Sequence, residues 1–209
     1  MNPFDELVEI FRKFPGVGPR QAERFVYFLL RQPKGSLDKI GRLVPSLSNS
    51  VKQCSDCYRY FISDRHGDIC NICGDNKRDN SSLLIVGQDV DIKSVEKSDY
   101  NGFYFVLGGL VPHLEKNPAS KIRLNELKNI IDKRHSDSFE QKDTLDEVIL
   151  ALNANPDGEN TTEIVRKEIT EICERNGIKI TVLGRGLSTG TELEYSDSET
   201  IKNALKNRF

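Results

Sequence analysis

The sequence has little of the chemistry on which many enzymes depend. Among its 209 residues there are no tryptophans, one methionine and three histidines. The histidines, His66, His113 and His135, are scattered along the chain, and no Ser/His/Asp or Cys/His triad can be argued from them. Catalysis by a nucleophilic triad is therefore not expected.

Long apolar runs are missing as well. No stretch approaches the ~18 apolar residues of a membrane span. The N-terminal sequence MNPFDELVEIFRKF is charged from its fifth residue on and has no apolar region of the kind a signal peptide needs. We expect a cytoplasmic chain without a membrane partner, whose cysteines stay reduced. Acidic and basic residues nearly balance, 32 against 30, which argues against a uniformly basic surface but leaves local basic patches open.

Four of the five cysteines form the most informative pattern that the chain does have. Cys54 and Cys57 bracket two residues, as do Cys70 and Cys73. Two Cys-x-x-Cys turns can bring four thiolates around one cation, with Zn–S distances of about 2.3 Å and no open position. We predict one structural Zn²⁺. Two disulfides or redox chemistry are the alternatives, but a reduced chain and a doubled motif favour the metal.

His66 and the fifth cysteine, Cys173, are predicted not to bind the metal. His66 lies between the cysteine pairs and is predicted to be a solvated loop residue, since four sulfurs already fill the coordination shell. Cys173 shares an apolar stripe with Ile169 and Ile172 and is predicted to be a buried core thiol.

Apolar residues recur at helical spacing through the first fifty residues. Asn2 is a candidate N-cap, and helices are predicted before the segment PGVGP, after it and over 36–52. Pro45 is expected to kink or split the third helix. Region 1–53 is assigned to an all-α part and region 54–76 to the cysteine module. The predicted apolar positions are Leu7, Ile10, Phe11 and Phe14 in the first helix, Ala22, Phe25, Val26, Leu29 and Leu30 in the second, and Leu37, Ile40, Leu43 and Leu47 in the third.

From about residue 80 the pattern changes to short apolar runs that alternate with helical segments. This alternation is typical of an α/β unit with a mostly parallel sheet, which we assign to region 80–183. A polar connection is predicted over 135–146. The predicted strands are 83–86, 103–107, 148–152 and 178–183, and the predicted helices are 89–98, 123–134 and 159–176.

The last region, 184–209, begins with a glycine-rich segment, GRGLSTG. It is not a P-loop, because no Gly-Lys-Ser/Thr follows, and a loop on the rim of the sheet is predicted. A short extended segment is expected at 192–195, and an amphipathic helix from Ser198 on.

The segment FPGVGPR between the first two helices is similar to the turn of a helix-hairpin-helix. Gly16 and Gly18 allow a tight turn and let backbone amides at the start of the second helix approach a phosphate. Arg20 and Arg24, one helical turn apart, would extend this contact, and Lys13 lies just before the turn. The pattern predicts DNA binding that is independent of base sequence and sensitive to salt. A plain helical corner is the alternative.

Acidic residues in the α/β region raise the question of a Mg²⁺ site for phosphoryl transfer. Such a site would need an acid after the first strand and a pair of acids after a later one. After the third strand, however, Asn153 and Asn155 stand where carboxylates would be needed. Asp157 and Glu159 come later, at the start of a helix, where acids are favoured without any metal. A helix cap or a protein contact is the preferred interpretation.

Taken together, these motifs resemble the RecR family of bacterial recombination-repair proteins. The resemblance covers nearly the whole chain in order: the hairpin FPGVGPRQAERF, the four cysteines, a Toprim-like α/β unit with NPDGENT, and the tail GRGLSTGTELEYSDSETIKNAL. It implies a Toprim fold without catalytic activity. It also implies a clamp subunit that forms a ring-shaped tetramer, built from dimers, around double- or single-stranded DNA without sequence preference, with region 184–209 in oligomer contacts.

The resemblance further implies partner proteins and a cellular location. RecO and RecF would be the partner proteins, and the complex would help to load the recombinase at gaps and breaks of nucleoid DNA. Residue by residue, the four cysteines match the zinc ligands and Arg20 and Arg24 match the DNA-contacting positions. Asp157 and Glu159 match acids that the family uses toward RecO.

The chain also departs from the family pattern. Where the family commonly has a glutamate at the end of the first Toprim strand, this chain has Gly87. The Asn-Pro pair follows the strand less directly than in the family, and the stretch 135–146 is longer than usual, as in a surface insertion. Two other functions remain open: a Mg²⁺-dependent Toprim enzyme, primase-like or nuclease-like, and a zinc-stabilised adaptor that contacts only proteins.

Overall fold

The structure is a computed structural model, and it describes residues 2–63, 67–137, 144–184, 186–187, 190 and 192–206. His66, much of the predicted insertion and part of the glycine-rich segment lie outside the described residues. The chain divides into two compact units with the boundary between Lys52 and Gln53.

The smaller unit consists of three helices, α1 (Pro3–Phe11), α2 (Pro19–Leu30) and α3 (Lys34–Ser50). The predicted cap of α1 is confirmed, because the Asn2 side chain accepts a hydrogen bond of 2.9 Å from the Asp5 amide. Helix α2 begins at Pro19, the last residue of PGVGP, with Gly18 as its N-cap.

Pro45 lies inside α3, and the prediction that it splits this helix is wrong. An interior proline removes one backbone hydrogen bond. All residues of α3 are exposed, so water can reach the carbonyl that loses its amide partner. The helix ends at Ser50, earlier than predicted, because Val51 enters a short strand.

Helices α1 and α2 pack through aromatic edges. The rings of Phe4 and Tyr27 lie 5.1 Å apart and those of Phe11 and Phe25 lie 5.7 Å apart. Only part of the predicted stripe on α1 faces this contact. Phe4, Val8 and Phe11 are half-buried there, whereas Leu7, Ile10 and Phe14, which the spacing also selects, are exposed.

The described residues of the chain form two sheets, of which the main sheet lies in the larger unit. Strands β1 (Val51–Gln53) and β2 (Tyr60–Ile62) form a two-stranded sheet that the sequence patterns do not predict. The main sheet has the order β4-β3-β5-β6, and all its neighbours are parallel. Its strands are β3 (Ser82–Val86), β4 (Phe103–Val106), β5 (Glu147–Ala151) and β6 (Lys179–Val182).

Helices follow the strands of the main sheet as the alternating pattern predicts. They are α4 (Asp89–Val95), α5 (Leu124–Asp137), α6 (Pro156–Asn176) and α7 (Ser198–Lys206), with 3-10 turns at Pro118–Ser120 and Leu193–Tyr195. The extended segment expected at 192–195 is therefore wrong. Turn hydrogen bonds from the Tyr195 and Ser196 amides to Glu192 and Leu193 satisfy this backbone locally.

Successive residues of β3 and β4 point to opposite faces of the sheet, and each face has its own core. Leu83, Ile85 and Phe105 pack toward α5 and α6, together with the buried Cys173. Leu84, Tyr104 and Val106 pack on the other face, together with α4 and the cysteine segment. The mixed α and α/β architecture with a Toprim-like parallel sheet is confirmed.

Cys173 is fully buried, as predicted, and burial raises the pKa of its thiol to about 11. None of the helices in the described part of the chain combines the length and the apolar character that a membrane crossing requires.

Candidate functional site

The four predicted cysteines converge on one point. Their sulfur atoms all lie within 4.8 Å of one another, and the Sγ atoms of Cys57 and Cys70 are 3.6 Å apart. A disulfide would bring two sulfurs to about 2.05 Å, whereas a tetrahedral site with Zn–S bonds of about 2.3 Å has edges of about 3.8 Å. All five cysteines are free thiols. The arrangement suits a four-coordinate metal ion and excludes the disulfide alternative in this structure.

Each cysteine pair lies on a similar backbone turn. The Tyr58 amide donates to the Cys54 carbonyl at 3.0 Å, and the Gly74 amide donates to the Cys70 carbonyl at 2.9 Å. Backbone amides also point at the sulfurs: the Cys70 amide lies 3.3 Å from the Cys54 sulfur. Such donors stabilise thiolate charge, which is the form that binds a metal.

The crowded sulfurs compete for protons in the absence of a cation. Hydrogen bonds from Cys57 and Cys70 lower the pKa of Cys54, while hydrogen bonding with Cys54 and Cys57 raises the pKa of Cys73. Four thiolates this close are compatible only with a cation between them, because their mutual repulsion in a buried site is large.

The cysteine cluster is part of the core of the larger unit. Cys54, Cys57 and Cys70 are at most 1% exposed, and they pack against the sheet face formed by Leu84, Val86, Tyr104 and Val106. The amide of Val106 at the end of β4 donates to the Cys57 carbonyl at 2.9 Å. A metal held here would be closed off from substrates, as in structural sites.

Tyr58 joins the first cysteine turn to the other face of the sheet. Its φ is +61°, a left-handed conformation that is uncommon for a residue with a bulky side chain. Its ring lies 5.4 Å from that of Phe105, and the Arg123 guanidinium lies 5.6 Å from its centroid. No sequence pattern marks Tyr58, because its partners are distant along the chain.

A second connection that the sequence does not reveal links the segment after the cysteine module to the C-terminal end of α4. Arg78 donates two hydrogen bonds, of 2.9 and 2.8 Å, to the carboxylate of Glu96, and the Tyr104 hydroxyl donates a third, of 2.6 Å. Burial by itself raises the pKa of Glu96, but the hydrogen bonds from Arg78 and Tyr104 outweigh it and leave that pKa below its usual range.

The hairpin turn before α2 gives its two glycines different roles. Gly16 has φ +74°, the left-handed region that favours glycine, and is the third residue of a turn that the Val17 amide closes by donating to the Phe14 carbonyl at 3.1 Å. Gly18 has φ −83°, which any residue can adopt. It lacks a capping side chain, so the first amides of α2 face outward without a side-chain acceptor.

The predicted basic residues lie around this helix start. Lys13 lies in the turn after α1, and Arg20 and Arg24 lie one turn apart on α2. All three are exposed, and their side chains form no ion pair with any residue that the structure describes. They are therefore available to an anion, although DNA contact at these positions stays a prediction.

The acidic segment after β5 is held in a fixed turn. Asn155 caps α6 by accepting from the Gly158 amide at 2.8 Å, so the helix begins at Pro156 rather than near 159. A Cβ at position 158 would lie 1.9 Å from the Asn153 carbonyl oxygen, so only glycine fits there. Asp157 is half-buried and Glu159 is exposed within the first turn of the helix.

The acids after β3 have local uses. Asp89 accepts a 2.6 Å hydrogen bond from the Tyr60 amide, and Asp91 accepts one of 2.8 Å from the Gln88 amide in a capping box. A side chain at Gly87 would begin 3.1 Å from the Leu110 side chain. Within the described ranges, the cysteine cluster is the one group of three or more Cys, His, Asp or Glu side chains close enough to share a metal ion.

A helix-hairpin-helix, a four-cysteine centre and a Toprim-like sheet in one chain define a class of DNA-transaction proteins. Comparison with known families agrees with the first and the third of these parts. Residues 4–44 match the RecR helix-hairpin-helix model, residues 81–184 match the Toprim domain, and residues 186–208 match the RecR C-terminal model.

Curated proteins extend the match to the full length of the chain. "Recombination protein RecR" of Dehalococcoides mccartyi is 35% identical over 98% of this chain and 92% of its own length. The proteins of the same name from Phytoplasma mali and Chloroherpeton thalassium are each 32% identical, over 98% of this chain and 93% and 95% of their own lengths. The chain belongs to the RecR family.

Proposed function

We propose that this protein is a non-catalytic DNA-binding subunit of recombinational repair, with one structural Zn²⁺ in its four-cysteine centre. The observation that carries the proposal is the start of α2. There, Gly18 leaves backbone amides uncapped and Arg20 and Arg24 lie exposed beside them, in a chain whose relatives are named as recombination proteins.

The physical basis of DNA binding is the attraction of phosphate to a helix N-terminus. The helix dipole and the free amides favour an anion, and glycine lets the backbone approach it. Helix α2 starts with Pro19, which has no amide hydrogen, so Arg20 and Gln21 supply the first free amides. These contacts reach the phosphate backbone and not the base edges, so binding is independent of base sequence.

Zinc is the metal that the donor set favours. Four thiolates in a closed, buried, tetrahedral arrangement are typical of structural zinc sites, and soft sulfur ligands exclude Mg²⁺ and Ca²⁺. The ligands are Cys54, Cys57, Cys70 and Cys73. Bound zinc would hold the two turns together and would supply folding energy rather than reactivity.

A Toprim enzyme with Mg²⁺ is the less favoured alternative. Its first-strand glutamate is replaced by Gly87, and the carboxylates of Asp89 and Asp91 already accept backbone hydrogen bonds. DNA cleavage or nucleotide polymerisation with Mg²⁺ or Mn²⁺ that Asp157→Ala abolishes would overturn the non-catalytic proposal.

Assembly into a ring-shaped tetramer, a dimer of dimers, belongs to the same proposal. A single hairpin makes few phosphate contacts, and several copies on one ring raise the effective concentration at the DNA. The exposed apolar residues of α1 and α3, such as Ile10, Ile40 and Leu43, are the kind of surface that subunit contacts cover. The segment 184–209 is proposed to take part in these contacts.

Partner proteins complete the proposal. The fixed acidic turn with Asp157 and Glu159 is proposed as a surface for RecO, and RecF is proposed as the second partner in recombinase loading. Such a complex would act on nucleoid DNA in the cytoplasm. A binding assay with purified RecO, comparing wild type with Asp157→Asn plus Glu159→Gln, tests this surface separately from DNA binding.

DNA binding itself is tested by titrating a labelled duplex and a labelled single strand at several salt concentrations. For Arg20→Ala plus Arg24→Ala we expect an equal loss on unrelated base sequences. A plot of the logarithm of the DNA association constant against the logarithm of the salt concentration has a negative slope. The magnitude of this slope should decrease by about two in the variant, since each neutralised duplex phosphate contributes about 0.9. Lys34→Ala plus Lys39→Ala, on exposed residues of the same unit, is the matched control. An unchanged slope in the arginine variant would favour an adaptor that contacts only proteins.

A further inference from the structure

A groove between β2, the second cysteine turn and α4 is not used by the proposed function. It has a volume of 500 Å³, within the range of pockets that hold ligands or anchoring side chains. Its floor is apolar, with Ile72 and Ile92 at 3% and 5% exposure, and Tyr60 forms one wall with more than half of its surface exposed.

The rim of the groove carries charges of both signs, but those left for a ligand are positive. Both rim carboxylates are already engaged: Asp89 accepts from the Tyr60 amide, and Glu96 accepts three hydrogen bonds from Arg78 and Tyr104. The cations on the rim are Arg59, Lys93 and Lys97. Lys93 and Lys97 form no ion pair or side-chain hydrogen bond with a residue in the described part of the chain. Arg59 forms none either, but its charge acts on Glu96 and lowers the pKa of that carboxyl.

Lys93 lies in the last turn of α4, and Lys97 lies in the turn that follows the helix. Both residues are exposed at the rim of the groove, so an acidic ligand can reach them. The groove is also pre-formed, because the bond from the Tyr60 amide to Asp89 ties β2 to the start of α4, which lowers the entropy lost on binding.

We propose that this groove binds an acidic peptide segment of a partner protein that carries one large apolar side chain. The apolar side chain would rest on Ile72 and Ile92 beside Tyr60, and flanking carboxylates would pair with the cations of the rim. Buried anchors of this kind, surrounded by complementary charge, dominate the energetics of peptide recognition. DNA fits less well, because a polyanion without an apolar side chain gains little from the apolar floor.

The proposal is tested with a fluorescein-labelled peptide, Gly-Asp-Glu-Phe-Asp-Glu-Gly, and the full-length protein in an anisotropy titration. Lys93→Gln plus Lys97→Gln should weaken binding about five-fold, since each exposed ion pair contributes up to about 1 kcal/mol. Replacing phenylalanine of the peptide by alanine should weaken it at least as much. Lys116→Gln plus Lys167→Gln, on exposed lysines away from the groove, is the matched control and should leave binding unchanged.

Four outcomes would overturn the proposal. Equal binding by wild type and the Lys93/Lys97 variant would show that the groove is not the site, and equal binding of the alanine peptide would show charge attraction alone. If the Lys93/Lys97 substitutions, placed in the Arg20→Ala plus Arg24→Ala background, reduce DNA binding more than peptide binding, the surface binds nucleic acid. If they change the sedimentation coefficient of the free protein, a second copy covers the groove.

Discussion

The two compact units bury their apolar side chains to very different degrees. In the larger unit both faces of the main sheet are covered, and residues such as Leu127 and Leu150 are completely buried. In the described part of the smaller unit, Ala22 and Val26 are the buried apolar residues, and much of the surface of α1 and α3 is apolar. The larger unit is therefore built to be stable by itself, whereas the smaller one offers surface to other molecules.

Removing one cysteine of the cluster is expected to have the largest effect, because it should destabilise the larger unit. Structural zinc contributes an apparent binding free energy of about 10–16 kcal/mol in small zinc domains. Cys54→Ser should therefore unfold or strongly destabilise the larger unit and abolish metal binding, measured by urea denaturation and by metal analysis. Cys173→Ala, a buried cysteine outside the cluster, should keep full metal content. If Cys54→Ser kept wild-type stability, or chelation of the wild type did not lower it, the structural role of the metal would be refuted.

One apolar-to-alanine substitution in each unit should show the difference in packing directly. Leu127→Ala creates a cavity in the larger core and is expected to cost about 3 kcal/mol of unfolding free energy. Ile40→Ala, on the exposed face of α3, should change the stability of the isolated subunit by less than about 0.5 kcal/mol. Denaturation at low protein concentration measures both. Equal costs at the two positions would contradict the difference in packing.

The hairpin turn provides a matched pair of glycines within the smaller unit. A non-glycine residue in the left-handed region costs roughly 1–2 kcal/mol, so Gly16→Ala should destabilise this unit by about that amount. Gly18→Ala should have almost no effect on stability, because φ −83° suits alanine and a Cβ there would meet no atom within 4 Å. Thermal unfolding compares the two variants. An equal loss for both would mean that Gly18 carries backbone strain as well.

The smallest effect concerns the pH dependence of the larger unit. The folded-state pKa of Glu96 lies below its usual value, so its ionised form contributes stability above the unfolded-state pKa. This contribution is lost as the pH falls through the lower folded-state pKa. Glu96→Gln should cost about 1 kcal/mol near neutral pH and flatten the loss of stability below about pH 4.5. Denaturation midpoints from pH 3 to 7 test this, with Glu171→Gln, an exposed residue of α6, as control.

Local signals in the sequence predict much of the fold and of the metal centre. The cysteine spacing identifies the four ligands because the two turns are short-range structures, and the alternating apolar runs locate the strands of the main sheet. Asn2 and Gly18 mark helix starts that the structure contains. Each of these features depends on a few neighbouring residues.

What the sequence does not reveal depends on contacts between distant residues. The spacing in α1 selected Leu7 and Ile10, which are exposed, and missed Phe4, whose ring contacts that of Tyr27 in α2. The pairing of Arg78 with Glu96 has no local mark in the sequence. The turn at 192–195 has the composition of a strand but makes its hydrogen bonds within itself. Gly16 and Gly18 cannot be distinguished in the sequence, and only their φ angles show that Gly16 alone needs to be glycine.

The hydrogen bond from the Val106 amide to the Cys57 carbonyl places a single spectroscopic reporter next to the metal centre. Val106 is the last residue of the edge strand β4, and the acceptor of its amide belongs to the first cysteine turn. Its exchange with deuterium in solvent would be slow while the turn is in place, and loss of the turn would accelerate it before the buried amides of β3 respond. One backbone proton would thus measure how often the first cysteine turn opens in the native protein.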